Sequence, residues 1–166
     1  MSELTMGVIG TSKKADEQRV PIHPDHFPRL SEHIRRQLIF EEGYGAPFGI
    51  ADSEIAAQTG GIATRHELLA DIGTVILNKP VLADLLELRE GGILWGYPHC
   101  AQQQSITQAA IDRKLTLIAF EDMYIWAPNG NAGRHTFYKN NEMAGYCAVL
   151  HALQLRGIDG HYGNQR

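Results

Sequence analysis

The sequence predicts an α/β fold: a Rossmann-like, flavodoxin-like parallel sheet in a three-layer domain, with helices on both faces and a long C-terminal helix. Three observations carry this. Five short runs rich in Ile, Val and Leu recur with little polar alternation, as expected of strands covered on both faces. Stretches with apolar residues at helical spacing separate them, so strand and helix alternate. The last such stretch, "NNEMAGYCAVLHALQLRG", is the longest and follows a loop rich in Gly, Asn and Pro.

The first strand is read in "TMGVIGT". "DHFPRLSEHIRRQ" follows as one helix, with Phe27, Leu30 and Ile34 on a common face. "QLIFEE" is the second strand. Asp52 or Ser53 is placed to cap "EIAAQT", and Gly60-Gly61 reads as a turn. "TRHELLADI" carries a Thr64-x-x-Glu67 capping box, whose hydroxyl and carboxylate satisfy the first free amides of a helix. "TVILNKP" is the third predicted strand, "VLADLLELRE" the helix after Pro80, "GILWGYP" the fourth strand, "SITQAAIDRK" a helix and "LTLIAFE" the fifth strand. In the final helix, Asn140 or Asn141 is the expected cap, Glu142 suits the first turn, Arg156 the last, and Gly157 the left-handed position that ends it. Met143, Tyr146, Cys147, Leu150 and Leu153 form a stripe expected to pack in a core. The expected division is an α/β domain over 1–139 and a helix with linker over 140–166.

At 166 residues and 43% apolar composition the chain suits one domain with a core and is short for two. A net charge of −4, with Lys and Arg scattered, leaves no electrostatic footprint for nucleic acid. The apolar runs are strand-sized, and "MSELTMGVIG" lacks the basic start and apolar length of a signal peptide, so no membrane role is expected and the location expected is cytoplasmic. Cys100 and Cys147 are accordingly expected as reduced thiols. No metal is expected: His23-x-x-His26 lacks a third ligand at a recognisable spacing.

In open α/β sheets ligands bind beyond the carboxyl ends of the strands, where loops and helix amino termini converge. Three strand ends here carry chemistry. "GTSKKADEQRVPIHP" brings Lys13, Lys14 and Arg19, "VILNKP" brings Lys79, and "Tyr97-Pro98-His99-Cys100" brings an imidazole. Arg grips a carboxylate through two parallel hydrogen bonds, Lys polarises a carbonyl, and His exchanges protons near neutral pH. The set suits a small carboxylic acid. Each residue also has a plain reading: His99 as a hydrogen-bonded loop residue, Lys79 as solvated, Arg19 as paired with Asp16 or Glu17. "GVIG" followed by "GTSKK" is no phosphate loop, since it fits neither G-x-G-x-x-G nor G-x-x-x-x-G-K-[ST].

Taken in order, "GVIGTSKKADEQRVPIHP", "EEGYGAPFGIADSEIAAQTGGI", "TVILNKP", "LWGYPHC" and "LTLIAFEDM" resemble the N-terminal, substrate domain of the alanine dehydrogenase/pyridine nucleotide transhydrogenase family over nearly the whole chain. The resemblance implies an oxidoreductase whose amino-terminal domain holds an amino acid or keto acid and whose following Rossmann domain holds NAD or NADP. Carried over by residue, it makes Arg19 a carboxylate ligand, Lys79 a carboxylate ligand or activator of the keto or imine group, and His99 the acid/base. Glu121 matches the acidic residue after the fifth predicted strand. The resemblance also implies a homo-oligomer.

Two of the chain's departures from the family's pattern bear on the substrate. Where the family has Lys-Glu-Pro, this chain has Lys79-Pro80, and in place of a Pro-Met-Ser-Glu type entry to the last helix it has "FYKNNEMAG". The second departure is expected to bring Lys139, Asn140 and Asn141 toward the substrate, favouring a larger, more polar amino acid. The chain thus resembles the N5-(carboxyethyl)ornithine synthase-like branch, which joins a side-chain amine to pyruvate by reductive condensation. The expected function is the substrate-binding and catalytic part of an NAD(P)-dependent amino acid dehydrogenase acting on CH-NH or CH-NH2 groups. The nucleotide domain would stand in cis or on a separate subunit, and this chain alone would be inactive and bind neither cofactor. The alternative is a stand-alone amino-acid-binding or regulatory module, with Arg19 and Lys79 kept as an anion grip.

Overall fold

The computed structural model describes residues 4–157. They form two compact units that divide between Glu121 and Asp122, of which the first is built on a parallel sheet. Among the described residues that sheet has six strands: β1 (Met6–Ile9), β2 (Leu38–Glu41), β3 (Gly61–Ala63), β4 (Thr74–Leu77), β5 (Ile93–Gly96) and β6 (Thr116–Ala119). Their order is β3-β2-β1-β4-β5-β6. The five predicted strands are all present. Without β3 their order is the flavodoxin-like one, and β3 at the edge extends it to the order of dinucleotide-binding sheets. The sequence reading took Gly60-Gly61 as a turn and missed this strand. It is three residues long, and its pairing of Ile39 with Gly61 and Phe40 with Ile62 is a tertiary event with no periodic signal of its own.

Strand alternation divides the sheet into two unlike faces. Ile9, Val75, Leu77 and Leu94 point to one side and are sealed by Leu68 and Leu69 of α3 (Arg65–Ala70), Leu85 of α4 (Leu82–Glu87) with the following Leu88, and Ile106, Ala109 and Ala110 of α5 (Gln104–Asp112). The sealing leucines and Ile106 are at most 1% exposed and the two alanines 7%, the pattern that near-continuous apolar strands require. Met6, Leu38, Ile76 and Trp95 point to the other side, where with Pro21, Ile22 and Phe120 they line an apolar groove of about 260 Å³. Phe27 packs tilted against Phe40, and Tyr44 meets Phe40 edge to face, on the β2 part of that face. The expected helices on both faces are therefore unequal, since the second face has short helical segments and a groove.

Local signals explain the boundaries. The single helix expected over "DHFPRLSEHIRRQ" is two pieces, a 3-10 segment at Pro24–Arg29 and α1 (Glu32–Arg36). Pro28 supplies no N–H, Leu30 is extended, and Ser31 starts α1 anew by accepting from the Ile34 N–H at 3.4 Å. His23, considered for metal, caps the 3-10 segment through Nδ1, which accepts from the Asp25 N–H. The Thr64–Glu67 box is formed: the Glu67 N–H donates to Thr64 Oγ1 at 3.2 Å and the Thr64 N–H to Glu67 Oε2 at 2.8 Å. Helix α2 (Asp52–Gln58) is capped by neither Asp52 nor Ser53; Ala51 is its N-cap residue, and the Asp52 carboxylate instead accepts from the Gly43 N–H.

The second unit holds an antiparallel pair, β7 (Tyr124–Trp126) with β8 (Ala132–His135), and the long helix α6 (Tyr138–Leu155). α6 begins before the expected caps, with Phe137 at the N-cap position, so Asn140 and Asn141 lie inside its first turn. Gly157 takes the expected left-handed conformation at φ 74°. The stripe expected in a core is not one: Met143, Tyr146 and Leu150 are each more than 60% exposed, and Cys147 is an exposed free thiol. Apolar residues are spread around α6 rather than gathered on one face, so helical spacing alone overstated its core. Cys100 is also a free thiol, and the linker segment after Gly157 lies outside the described residues. Among those residues no helix is long and apolar enough to cross a membrane.

Candidate functional site

The order of the sheet reverses between β1 and β4, so the loops leaving their carboxyl ends part in opposite directions and open a crevice. The loop after β1 carries Arg19, that after β4 carries Lys79, and that after neighbouring β5 carries His99. Two cross-links join the first two loops. The Asn78 side-chain amide donates to the Arg19 carbonyl at 2.9 Å, and the Ser12 hydroxyl donates to the Lys79 carbonyl at 3.3 Å.

Lys79 Nζ lies 2.7 Å from His99 Nε2. An ammonium only donates, so Nε2 accepts and the ring proton sits on Nδ1, which faces Glu121 Oε1 at 3.7 Å. The same carboxylate oxygen accepts the His99 backbone N–H at 2.8 Å. That N–H is aimed by a backbone at φ 50°, an uncommon conformation for a residue with a side chain. Lys79 also stands 4.5 Å from the centroid of the Tyr97 ring, which stacks on the imidazole.

Electrostatics follow from this packing. Burial, then the Lys79 charge, pushes His99 below its ordinary range. Lys79 is lowered in turn, by burial and then by the positive charges of Lys14 and Arg19. Burial raises the Tyr97 phenol. The cluster therefore holds a neutral imidazole beside an amine whose proton is loosened, an arrangement suited to moving a proton at neutral pH.

Arg19 is half exposed and forks onto Glu17, with Nε at 2.8 Å from Oε1 and Nη2 at 2.5 Å from Oε2. This pairing holds the Glu17 carboxyl below its usual range. Glu17 is 7% exposed and lines, with Ser12, Gln18 and Tyr44, a cavity of about 360 Å³ between the loops after β1 and β2. Gly10 is required there, because a Cβ on it would stand 2.7 Å from the Tyr44 ring.

Arg19, Lys79 and His99 are thus at one edge, as the strand-end reading expected. Asn140 and Asn141 belong to the second unit, on exposed turns of α6, and the cluster is built without them. Lys13 pairs with Asp84 at 3.4 Å and Glu87 at 2.5 Å.

Sequence reasoning missed a buried ionic cluster at the same edge. Glu41, at the end of β2, accepts the Gly10 and Thr11 N–H groups at 2.9 and 2.8 Å and the Thr11 hydroxyl at 2.6 Å. Arg65 reaches Asp84 at 2.7 Å and Glu41 at 3.4 Å. The available signal was a carboxylate at a strand end in "LIFEE" and another inside the apolar "VLADLLEL". These contacts bear on the cofactor: in a sheet of this order the amides after β1 are where a dinucleotide's pyrophosphate would be met, and here Glu41 takes them. The described residues do not fit a nicotinamide dinucleotide at that position.

The family model described as "Alanine dehydrogenase/PNT, N-terminal domain" matches residues 8–128. The N(5)-(carboxyethyl)ornithine synthase of Lactococcus lactis subsp. lactis is 27% identical over 151 residues, covering 86% of this chain and 47% of the relative. The alanine dehydrogenase of Methanococcus maripaludis is 34% identical over 124 residues, covering 71% of this chain and 32% of the relative. The chain spans about half the length of the first and a third of the second. Among solved structures, an L-alanine dehydrogenase superposes with TM-score 0.59 at 21% identity over 77% of this chain and 35% of that one. A transhydrogenase from Sinorhizobium meliloti gives the same TM-score at 16% identity, over 72% and 35%. The ordered strand-end blocks, the β1/β4 crevice and these matches agree, and the chain belongs to the alanine dehydrogenase/PNT N-terminal domain family.

Proposed function

We propose that this chain is the substrate-binding and proton-transferring part of an NAD(P)-dependent amino acid dehydrogenase, with a secondary-amine-forming reaction ranked ahead of alanine oxidation. The observation that carries the reading is the 2.7 Å Lys79–His99 contact at the switch point of the sheet, with Arg19 across the same crevice. Residues 140–166 lead toward a nucleotide-binding domain, in cis or on another chain, and the cofactor held there supplies hydride. The similarity to carboxyethylornithine synthases supports a keto acid and an amino acid as the two substrates.

Arg19 binds the keto acid's carboxylate, exchanging part of its contact with Glu17 for a ligand of the same shape. Lys79 donates to the keto oxygen and makes the carbon electrophilic. As the amine adds to that carbon, the oxygen takes a proton from Lys79 to become a hydroxyl and neutral His99 takes the proton released from nitrogen; His99 returns that proton to the hydroxyl, which leaves as water and generates the protonated imine. Asn140 and Asn141 contact the amino acid partner in the assembled protein, and the assembly is a homo-oligomer.

The test uses the complete enzyme, mixing pyruvate with NADH or NADPH and either ornithine, another diamino acid or ammonium, and following nicotinamide absorbance. Turnover with a diamino acid supports the reading. Turnover with ammonium alone selects alanine dehydrogenation, and pyruvate binding without any turnover selects a binding module. Calorimetry on the isolated chain should detect no NADH or NADPH binding, and a micromolar constant would overturn the assignment of the cofactor to another domain.

A further inference from the structure

We propose that the buried Glu41–Arg65–Asp84 cluster is a positioning device that holds the Arg19 loop and the Lys79 loop in register, so that the anion grip depends on Arg65, which itself touches no substrate. The inference rests on the reading of Arg19 and Lys79 as that grip.

The contacts converge on the first residues of one loop and the last of the other. Glu41 fixes the Gly10 and Thr11 amides and the Thr11 hydroxyl, and Arg65 Nη1 donates to the Thr11 carbonyl at 3.0 Å and to Thr11 Oγ1 at 2.8 Å. Thr11 is thereby held at its N–H, its C=O and its hydroxyl. The other arm of the same guanidinium bonds Asp84, whose second oxygen accepts the Val81 N–H at 2.9 Å. Val81 follows Lys79-Pro80 directly, so one planar side chain links the exit of β1 to the entry of α4. The Ser12–Lys79 and Asn78–Arg19 bonds then span the two loops themselves.

Stability gives a poor account of such a cluster. Asp84 is fully buried, Glu41 is 5% exposed, and removing charges from water carries a large desolvation cost before any pairing is recovered. Apolar groups of similar volume commonly do as well, whereas a fork with fixed bond directions sets distances that apolar packing leaves loose. The distances it sets are between the two loops that must present a guanidinium and an ammonium to one ligand.

The experiment compares the parent chain with Arg65→Met and Arg65→Lys, reading pyruvate titration and the His99 ring pKa by NMR, with dispersed amide signals of Val75 and Leu94 as the check of folding. Lys79, Lys14 and Glu121 are the charged groups that act on His99. Arg65→Met should weaken pyruvate by about 5–10-fold and let the His99 pKa rise as Lys79 leaves its side, with Arg65→Lys intermediate. A folded Arg65→Met chain with parental pyruvate affinity and parental His99 titration overturns the proposal. Should Arg65→Met fail to fold, Arg65→Lys decides on the same two readings. A parent chain that ignores pyruvate would instead break the anion-grip reading, and the His99 titration would still judge the coupling of the loops.

Discussion

The carboxyl edge of the sheet carries two ionic clusters built from similar side chains and opposite logic. In the first, Lys79 and His99 are both cation formers 2.7 Å apart; burial and the Lys79 charge lower His99, while burial and the charges of Lys14 and Arg19 lower Lys79. In the second, Glu41, Arg65 and Asp84 alternate in sign. The difference matches the two roles proposed above, proton transfer for the first cluster and positioning for the second. Like charges sharing a half-buried crevice loosen protons; opposite charges in a sealed one fix geometry.

The sharpest break between the clusters is in turnover. With the nucleotide domain supplied, His99→Gln should lower single-turnover hydride transfer by roughly 10²–10⁴-fold with substrate binding largely intact. Parental rates and an unchanged pH profile would move His99 out of the chemistry.

Stability should break the other way. Asp84→Ala leaves Arg65 without its 2.7 Å partner and is expected to cost about 3–5 kcal/mol in urea unfolding. Lys79→Met should change the same measurement by less than about 1 kcal/mol. Equal effects would mean that the clusters are not different in kind.

Across the crevice from the first cluster, Arg19→Lys keeps the charge and loses the planar fork that now grips Glu17. Keto-acid binding, read by calorimetry, should weaken by about 1–3 kcal/mol. An unchanged constant would place Arg19 outside the ligand's reach.

The smallest effect is a titration. His99 lies below its ordinary value of 6.5 in the folded chain, so the unfolded chain takes up a proton that the folded one refuses. Stability should therefore fall as pH drops from about 6.5 through the folded value. Lys79→Met removes the like charge, and NMR should show the His99 pKa moving up and part of that fall disappearing. A downward move would contradict the contact.

Much of this was legible beforehand where a feature is local. Five strands were visible because near-continuous Val, Ile and Leu runs mark strands covered on both faces, and the Thr64–Glu67 box because three-residue spacing fixes both partners. Arg19, Lys79 and His99 could be sent to one edge because each follows a strand and parallel strands end together. β3 was hidden by its length and its Gly-Gly entry, the break between the 3-10 segment and α1 by an apolar spacing that outweighed Pro28, and the exposure of α6 by a periodicity that says nothing of what covers it.

The sequence by itself determined most of the strand–helix alternation, the Thr64–Glu67 capping box and the Gly157 stop, and the chemistry placed after each strand. Only the tertiary structure decided which charges meet. Glu41 and Arg65 are 24 residues apart, and Arg65 and Asp84 are 19 apart, so no periodicity or spacing rule connects them. Their pairing is a product of strand order, which sets β2, β1 and β4 side by side and closes the crevice over the carboxylates. The same order puts Lys79 against His99. A strand pairing fixes such contacts through long-range burial, and local sequence carries the groups without carrying the distances between them.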